Sequence, residues 1–321
     1  MSNTPFPIKK PVIALVGPTA VGKTALSLHV AEKYGCEIIN LDSMQIYRHM
    51  DIGTAKASCE EREKIVHHLI DIKDPDEAYD AKRYVDDALK CIADIHKRNL
   101  VPLLTGGTGL YLKSLLEGLF DNIGEFPEIR NELQQLLDKT GSSKLHEELA
   151  LVDCISAKRI HYNDRHRLLR ALEIYRGTGK SWTDHLQDQA KTAKVKRFAD
   201  ILIAGLTVDR KLLYERINTR TSYMLQSGLK EEVLKLLDMG YQQDLRSMQA
   251  IGYRHMLEYL NGNWTIEKTE ELLARDTRRY AKRQFTWFNK MNIEWFDVSY
   301  EKEILHRMDE FMARSQNNEW Q

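Results

Sequence analysis

Eight consecutive residues, Gly17-Pro18-Thr19-Ala20-Val21-Gly22-Lys23-Thr24, carry the sharpest chemical signal in this sequence. The spacing is a glycine, four residues, a second glycine, then Lys and Thr. Such a segment lets backbone N–H groups wrap phosphate oxygens, and a following helix adds the positive end of its dipole. Lys23 supplies a point charge, and the Thr24 hydroxyl suits Mg²⁺. The motif announces a polyphosphate and leaves open which group is transferred.

Two further polar clusters follow apolar runs: Asp42-Ser43-Met44-Gln45-Ile46-Tyr47 and Thr105-Gly106-Gly107-Thr108-Gly109. Three readings of Asp42 stand side by side: a carboxylate holding Mg²⁺, a general base for an incoming nucleophile, or a cap for the next segment. Gly106 and Gly107 are expected to let the backbone turn sharply, and Thr108 to cap a helix or serve the site. Arg216 and Arg220, four apart on a predicted helix, either swing onto the phosphates or are solvated surface charges. No residue stands out to position water, and no arginine-rich lid is evident, so neither hydrolysis nor small-molecule phosphorylation is pointed to.

Positive charge gathers in two places. On a helical wheel Arg275, Arg278, Arg279, Lys282 and Arg283 share one face, and Leu273, Thr277, Tyr280, Gln284, Trp287 and Phe288 the other. Lys158, Arg159, His161, Arg165, His166, Arg167 and Arg170 form a second cluster. Each alone fits a solvated helix face; together they point to a phosphate-backbone partner.

The elements that position these groups alternate. Strands are expected at Pro11–Val16, Glu37–Leu41, Leu100–Thr105 and Asp200–Val208. Helices are expected at Thr24–Tyr34, Ala81–Asn99 and Gly109–Gly118. Alternation of this kind predicts an α/β fold: a parallel sheet flanked by helices, with functional side chains at the C-terminal strand ends. Residues 122–197 read as a helical insertion between core segments 1–121 and 198–321. Asp209 to Trp287 reads as helices, and Ala313 to Gln321 as a frayed polar end.

Composition bounds the rest. The chain has 321 residues, 42% hydrophobic and 29% charged, which is globular composition. Lys plus Arg and Asp plus Glu are each 47, so any nucleic-acid affinity must come from segregated charge. Cys36, Cys59, Cys91 and Cys154 lie far apart, so neither a zinc ribbon nor a disulfide framework is expected. No apolar run is long enough to span a membrane, and the N-terminal residues lack a secretory leader's apolar core. The expectation is a cytoplasmic protein, monomeric because no self-association face stands out.

Seven segments in order, GPTAVGKT, NLDSMQIYRHMDIGTAK, HHLIDI, PLLTGGTGLY, RLLRALEIYRGTGK, AIGYRHM and RRYAKRQFTWF, resemble the bacterial tRNA dimethylallyltransferases, or tRNA isopentenyltransferases. The resemblance runs from Val12 to about Trp295. It implies a P-loop NTPase-like core with a helical insertion domain that contacts tRNA, and a channel between them. It implies dimethylallyl diphosphate as donor with Mg²⁺ as cofactor. The implied acceptor is N6 of adenosine 37, in the anticodon stem-loop of tRNAs reading codons that begin with U. N6-(dimethylallyl)adenosine and diphosphate are the products.

By the same resemblance, Gly17 to Thr24 (Gly17, Pro18, Thr19, Ala20, Val21, Gly22, Lys23, Thr24) hold the diphosphate, and Thr24 also the Mg²⁺. Asp42, Thr108 and Arg220 are catalytic: base at N6, helper at the reacting end, and neutraliser of the leaving group. The tRNA contacts implied are Asp42, Ser43, Met44, Gln45 and Thr108; Arg165, His166, Arg167, Leu168, Leu169 and Arg170; and Arg275, Arg278, Arg279, Lys282 and Arg283. His49 stands where a glycine is common in the family.

Overall fold

A computed structural model describes residues 7–118, 123–191 and 197–317. Val12–Val16 (β1) is buried at every position, as a strand covered on both faces must be. Lys23–Tyr34 (α1) follows it, ended by Gly35 in the left-handed region. Cys36–Asn40 (β2) leads through a long loop to Cys59–Lys64 (α2) and the two-residue His67–His68 (β3). Ala81–Lys97 (α3), capped by Asp80, crosses to Val101–Gly106 (β4), and Gly109–Glu117 (α4) leaves it.

Next come Pro127–Thr140 (α5), Ser142–Val152 (α6), Cys154–Arg159 (α7), Arg165–Thr178 (α8) and Trp182–Lys191 (α9). The chain then returns with Ile201–Thr207 (β5), Arg210–Gln226 (α10), Leu229–Asp238 (α11), Tyr253–Leu260 (α12) and Ile266–Phe288 (α13). Glu294–Asp297 (β6) and Glu301–Asn317 (α14) close it.

The strands form one sheet in the order β3-β2-β4-β1-β5-β6, every pairing parallel. The four expected strands lie where the apolar runs placed them. Two were not anticipated, β3 and β6, and both are short edge strands. Residue contacts divide the chain into two compact units, 1–117 with 196–321, and 118–195. The boundary expected near 121 falls outside the described residues.

The sheet unit is held by Ile13, Leu15, Val30, Ile38, Leu103 and Leu206, packed with Ile304, Met308 and Phe311 of α14. Each such side chain stabilises by roughly 1.5–3 kcal/mol on burial. That packing overturns the frayed end expected from Ala313. Arg314 and Ser315 bond the Asp200 carboxylate at 3.0 Å each, so the helix holds to Asn317; residues 318–321 lie outside the described ones. The helical unit has its own core of Leu133, Leu137, Leu145, Leu149, Leu168, Leu169 and Leu172.

Candidate active site

The phosphate loop joins β1 to α1. Gly22 caps that helix in the left-handed region (φ 116°) with no side-chain cap, so the first-turn N–H groups face the loop. Lys23 folds back: its Nζ donates to the carbonyls of Gly17 at 2.9 Å and Pro18 at 2.7 Å. Burial, then repulsion from Arg220, lowers its pKa to about 7, with the Asp42 carboxylate opposing. Lys23, Arg220 and Asp42 come together at one cavity.

They line a cavity of about 230 Å³ with Thr19, Thr24, Gln45, Thr105 and Gly107. A second cavity of about 340 Å³ shares Thr19, Asp42, Thr54, Arg220 and Tyr280 with it. This one adds an apolar wall of Ile217, Met224, Ile251 and Leu273. Asp42 thus stands between the chamber of the phosphate loop and a second one whose apolar wall is edged by Arg220, Arg254 and Arg283.

Asp42 is held through its backbone by buried Asn40, a residue that sequence reasoning missed. Asn40 accepts from Asp42 N (3.1 Å) and donates to Asp42 O (3.1 Å) and Leu69 O (3.0 Å). The Asp42 Oδ1 accepts from Met44 N at 2.8 Å, which is the capping role. Oδ2 has no hydrogen-bond partner among the described residues, so one oxygen anchors the turn and the other is available for chemistry.

Thr108 stands just before α4, its carbonyl accepting from Leu112 N at 3.3 Å, while its hydroxyl accepts from Ser43 N at 3.0 Å and ties the ends of β2 and β4 together. The chain bends at Gly107 between β4 and α4, as expected, but neither Gly106 nor Gly107 needs positive φ to do so. Their reason is close approach: a Cβ on Gly106 would lie 2.3 Å from Leu41 O, and one on Gly107 2.1 Å from Gln284 Nε2.

The arginines are not surface charges. Arg220 Nη1 reaches Thr19 Oγ1 at 3.3 Å and lines both cavities, while Arg216 Nη1 is committed to Val21 O at 2.9 Å. Gln284 of α13 is a second residue that the sequence did not single out for the site. It accepts from Thr19 N at 2.9 Å and donates to Gly107 O at 3.0 Å, clamping the phosphate loop to the end of β4.

A third such residue is Glu232 of α11. Its carboxylate accepts from the N–H groups of Asp51, Ile52 and Gly53 (3.0, 2.7 and 3.1 Å) and from the Tyr253 hydroxyl (2.6 Å). It thereby fixes the loop whose Thr54 and Ala55 carbonyls hold Gln45 Nε2 at 3.2 Å. In the same loop His49 takes φ 65°, a conformation that a glycine adopts freely. His67 lines the smaller cavity with its ring on Ile65 O, and burial lowers its pKa; His68 pairs with Glu37.

On α13, Tyr280 lines both cavities, and burial pushes its hydroxyl well up. Arg283, Lys282 and Arg279 are exposed, and Arg275 and Arg278 half-buried. In the helical unit Lys158, Arg159, Arg165, His166 and Arg167 are exposed. Leu168 and Leu169 are instead 0% and 2% exposed in that unit's core, so their side chains offer nothing to RNA. Arg170 is largely spent on buried Glu173 at 2.7 Å.

Among the described residues no group of three or more His, Cys, Asp or Glu forms a metal cage, and no helix is long and apolar enough to cross a membrane.

Comparison with known proteins is consistent with this geometry. Residues 45–291 match the family model described as IPP transferase. A tRNA dimethylallyltransferase of Desulfotalea psychrophila is 52% identical, over 95% of this chain and 96% of its own length. A crystal structure of a tRNA isopentenylpyrophosphate transferase from Bacillus halodurans superposes with TM-score 0.70 at 40% identity, covering 96% of this chain and 97% of that one. A eukaryotic dimethylallyltransferase acting on tRNA superposes with TM-score 0.80 at 28% identity, covering 95% and 80%.

Proposed function

This chain belongs to the IPP transferase family, and we propose that it moves the dimethylallyl group of dimethylallyl diphosphate to tRNA. The acceptor is N6 of adenosine 37 in tRNAs that read codons beginning with U, and diphosphate is released. The observation that carries the reading is the placement of Asp42, which lines both the cavity of the phosphate loop and the one with the apolar wall.

The exocyclic amine of adenine is a weak nucleophile because its lone pair is delocalised into the ring. Asp42 Oδ2 takes the proton from N6 as the N–C bond forms, while Oδ1 stays anchored on Met44 N. General-base help of this kind is typically worth ~10²–10⁴-fold. The allylic C–O bond breaks, and its electron pair leaves with the diphosphate. Lys23, Arg220 and the N–H groups opening α1 stabilise that departing charge. Thr108 holds the strand ends that keep the base and the phosphate loop in register.

The donor set fits Mg²⁺: a hydroxyl (Thr24) and a single carboxylate (Asp42) line the cavity, and phosphate oxygens would complete the hard-oxygen shell. When bound there, Mg²⁺ neutralises diphosphate charge.

The base must leave the stacked loop to reach Asp42, at a cost of a few kcal/mol. Phosphate contacts from the exposed cations of α13 and from Lys158 to Arg167 offset that cost. The protein acts as a cytoplasmic monomer on this reading.

The test incubates the protein with dimethylallyl diphosphate, Mg²⁺ and unmodified tRNA, then digests the RNA to nucleosides. Adenosine carrying one added isoprenoid unit is expected, and Asp42→Asn should lower kcat by ~10²–10⁴ while both substrates still bind. Unaltered adenosine, or near-normal kcat in the variant, would overturn the assignment.

A further inference from the structure

An acidic residue sits among the clustered cations of α13. Asp276 of α13 accepts from Arg275 Nε at 3.0 Å and Arg279 Nη1 at 3.4 Å on its own helix. From α12 it takes Arg254 Nη2 at 2.8 Å and the His255 ring Nε2 at 3.3 Å. Its side chain is only 16% exposed. A negative charge on a face that meets RNA lowers the attraction for phosphate. A cluster built around it so completely needs another reason than charge.

That reason lies in what the three arginines have left over. A guanidinium carries N–H donors in a fixed planar fork. Asp276 occupies one edge of each, Nη2 of Arg254, Nε of Arg275 and Nη1 of Arg279, and leaves the remaining N–H groups available. Long cationic side chains otherwise lose rotamer freedom when they dock on a partner. Here that loss is already met in the free protein. Arg254 also lines the larger cavity, the chamber with the apolar wall. The fan of guanidinium groups therefore reaches the larger cavity through Arg254.

Lys282 and Arg283, one turn further on, are exposed and have no ion-pair partner among the described residues. They supply attraction without shape.

We propose that Asp276 is a positioning residue that sets RNA discrimination. It fixes Arg254, Arg275 and Arg279 in an arrangement that matches the phosphates of one folded anticodon stem-loop. This rests on the tRNA-modifying reading above and adds to it a residue that touches neither substrate nor reacting atoms.

The test compares two RNAs, a substrate anticodon stem-loop and an unrelated hairpin of equal length, each titrated at several salt concentrations. Asp276→Asn should weaken the substrate stem-loop by about tenfold through lost preorganisation, and leave the unrelated hairpin equal or tighter. KM for tRNA rises, whereas kcat at saturating tRNA and affinity for dimethylallyl diphosphate stay at wild-type values.

Asp276→Glu keeps the charge and moves the carboxylate by one methylene. A purely electrostatic role predicts wild-type binding of both RNAs by that variant; positioning predicts a loss of discrimination again. Equal tightening of both RNAs in Asp276→Asn, or wild-type discrimination in Asp276→Glu, overturns the proposal. Failure of the functional reading looks different: wild-type protein would leave tRNA unmodified whatever these ratios are.

Discussion

Lys23 offers the most quantitative check on the site. Its Nζ is drawn onto the Gly17 and Pro18 carbonyls, and burial with Arg220 nearby brings its pKa from 10.5 to about 7. In the ligand-free protein at pH 8 roughly nine in ten of these lysines are therefore neutral, and at pH 6 about one in ten. A bound diphosphate restores the charge. A terminal phosphate with a pKa of about 6 is already ionised at pH 8, so any proton taken up there comes to the protein. Calorimetric titration of dimethylallyl diphosphate, in metal-free buffers of differing ionisation enthalpy, should show uptake of nearly one proton at pH 8. The affinity should fall by up to about tenfold per pH unit above 7.

Stability moves the other way. Between the native pKa and the unfolded value, the unfolded chain holds a proton that the native one lacks. Unfolding free energy therefore rises with pH, by about 1.4 kcal/mol per unit from this group, and is flat below the native pKa. Urea unfolding at pH 7.5 and 9 should show about 2 kcal/mol of added stability in wild type that Lys23→Met lacks. No proton uptake at pH 8, or identical pH slopes in the two proteins, would mean that Lys23 stays charged in the free site.

Three further outcomes follow from the same geometry. Gln284→Leu strands Thr19 N–H and Gly107 O, each costing roughly 1–3 kcal/mol; the Kd for dimethylallyl diphosphate alone should rise at least tenfold, with the Kd for tRNA alone little changed, in separate binding titrations. Neutralising Arg278, Arg279, Lys282 and Arg283 together should flatten the salt dependence of tRNA binding by about one unit of slope for each phosphate no longer neutralised, and an unchanged slope would take this helix off the RNA. Glu232→Gln keeps its shape but weakens the charge-assisted bonds to three consecutive loop amides. It should lower Tm and depress kcat/KM, and restored activity in Glu232→Asp would tie the effect to the carboxylate.

The sheet was legible because its strands are apolar runs ended by polar clusters, and burial on both faces demands such runs. β3 and β6 escaped because a two-residue strand and the half-polar Glu-Trp-Phe-Asp carry no period to detect. The loop, Asp42 and the basic face of α13 were legible as residue types. The supports were not. Asn40 reaches Leu69 29 residues on, besides its local Asx-type bonds to Asp42, and Glu232 and Gln284 act on backbone groups 179 to 181, and 177 and 265, residues away. No spacing rule connects such partners. Leu168 and Leu169 show the converse limit: a motif shared with a binding segment says nothing about which of its side chains face outward, and these two turn inward to the helical unit's core.

α13 explains why the phosphate loop and the cationic surface cannot be treated as separate devices. Gln284 grips Thr19 and Gly107 from the buried side, Tyr280 walls both cavities, and Lys282 and Arg283 point to solvent within the same turn and a half. A rigid helix moves as one body, so any displacement that RNA imposes on the exposed cations is felt at the clamp on the phosphate loop. The energetic consequence is reciprocal: whatever factor tRNA exerts on diphosphate affinity, diphosphate must exert on tRNA. Severing only the clamp, as Gln284→Leu does, should therefore reduce both cross-effects equally while leaving each substrate able to bind alone. Mixed titrations in which Gln284→Leu leaves the mutual effect of the two substrates at its wild-type size would end the view of α13 as a single mechanical element.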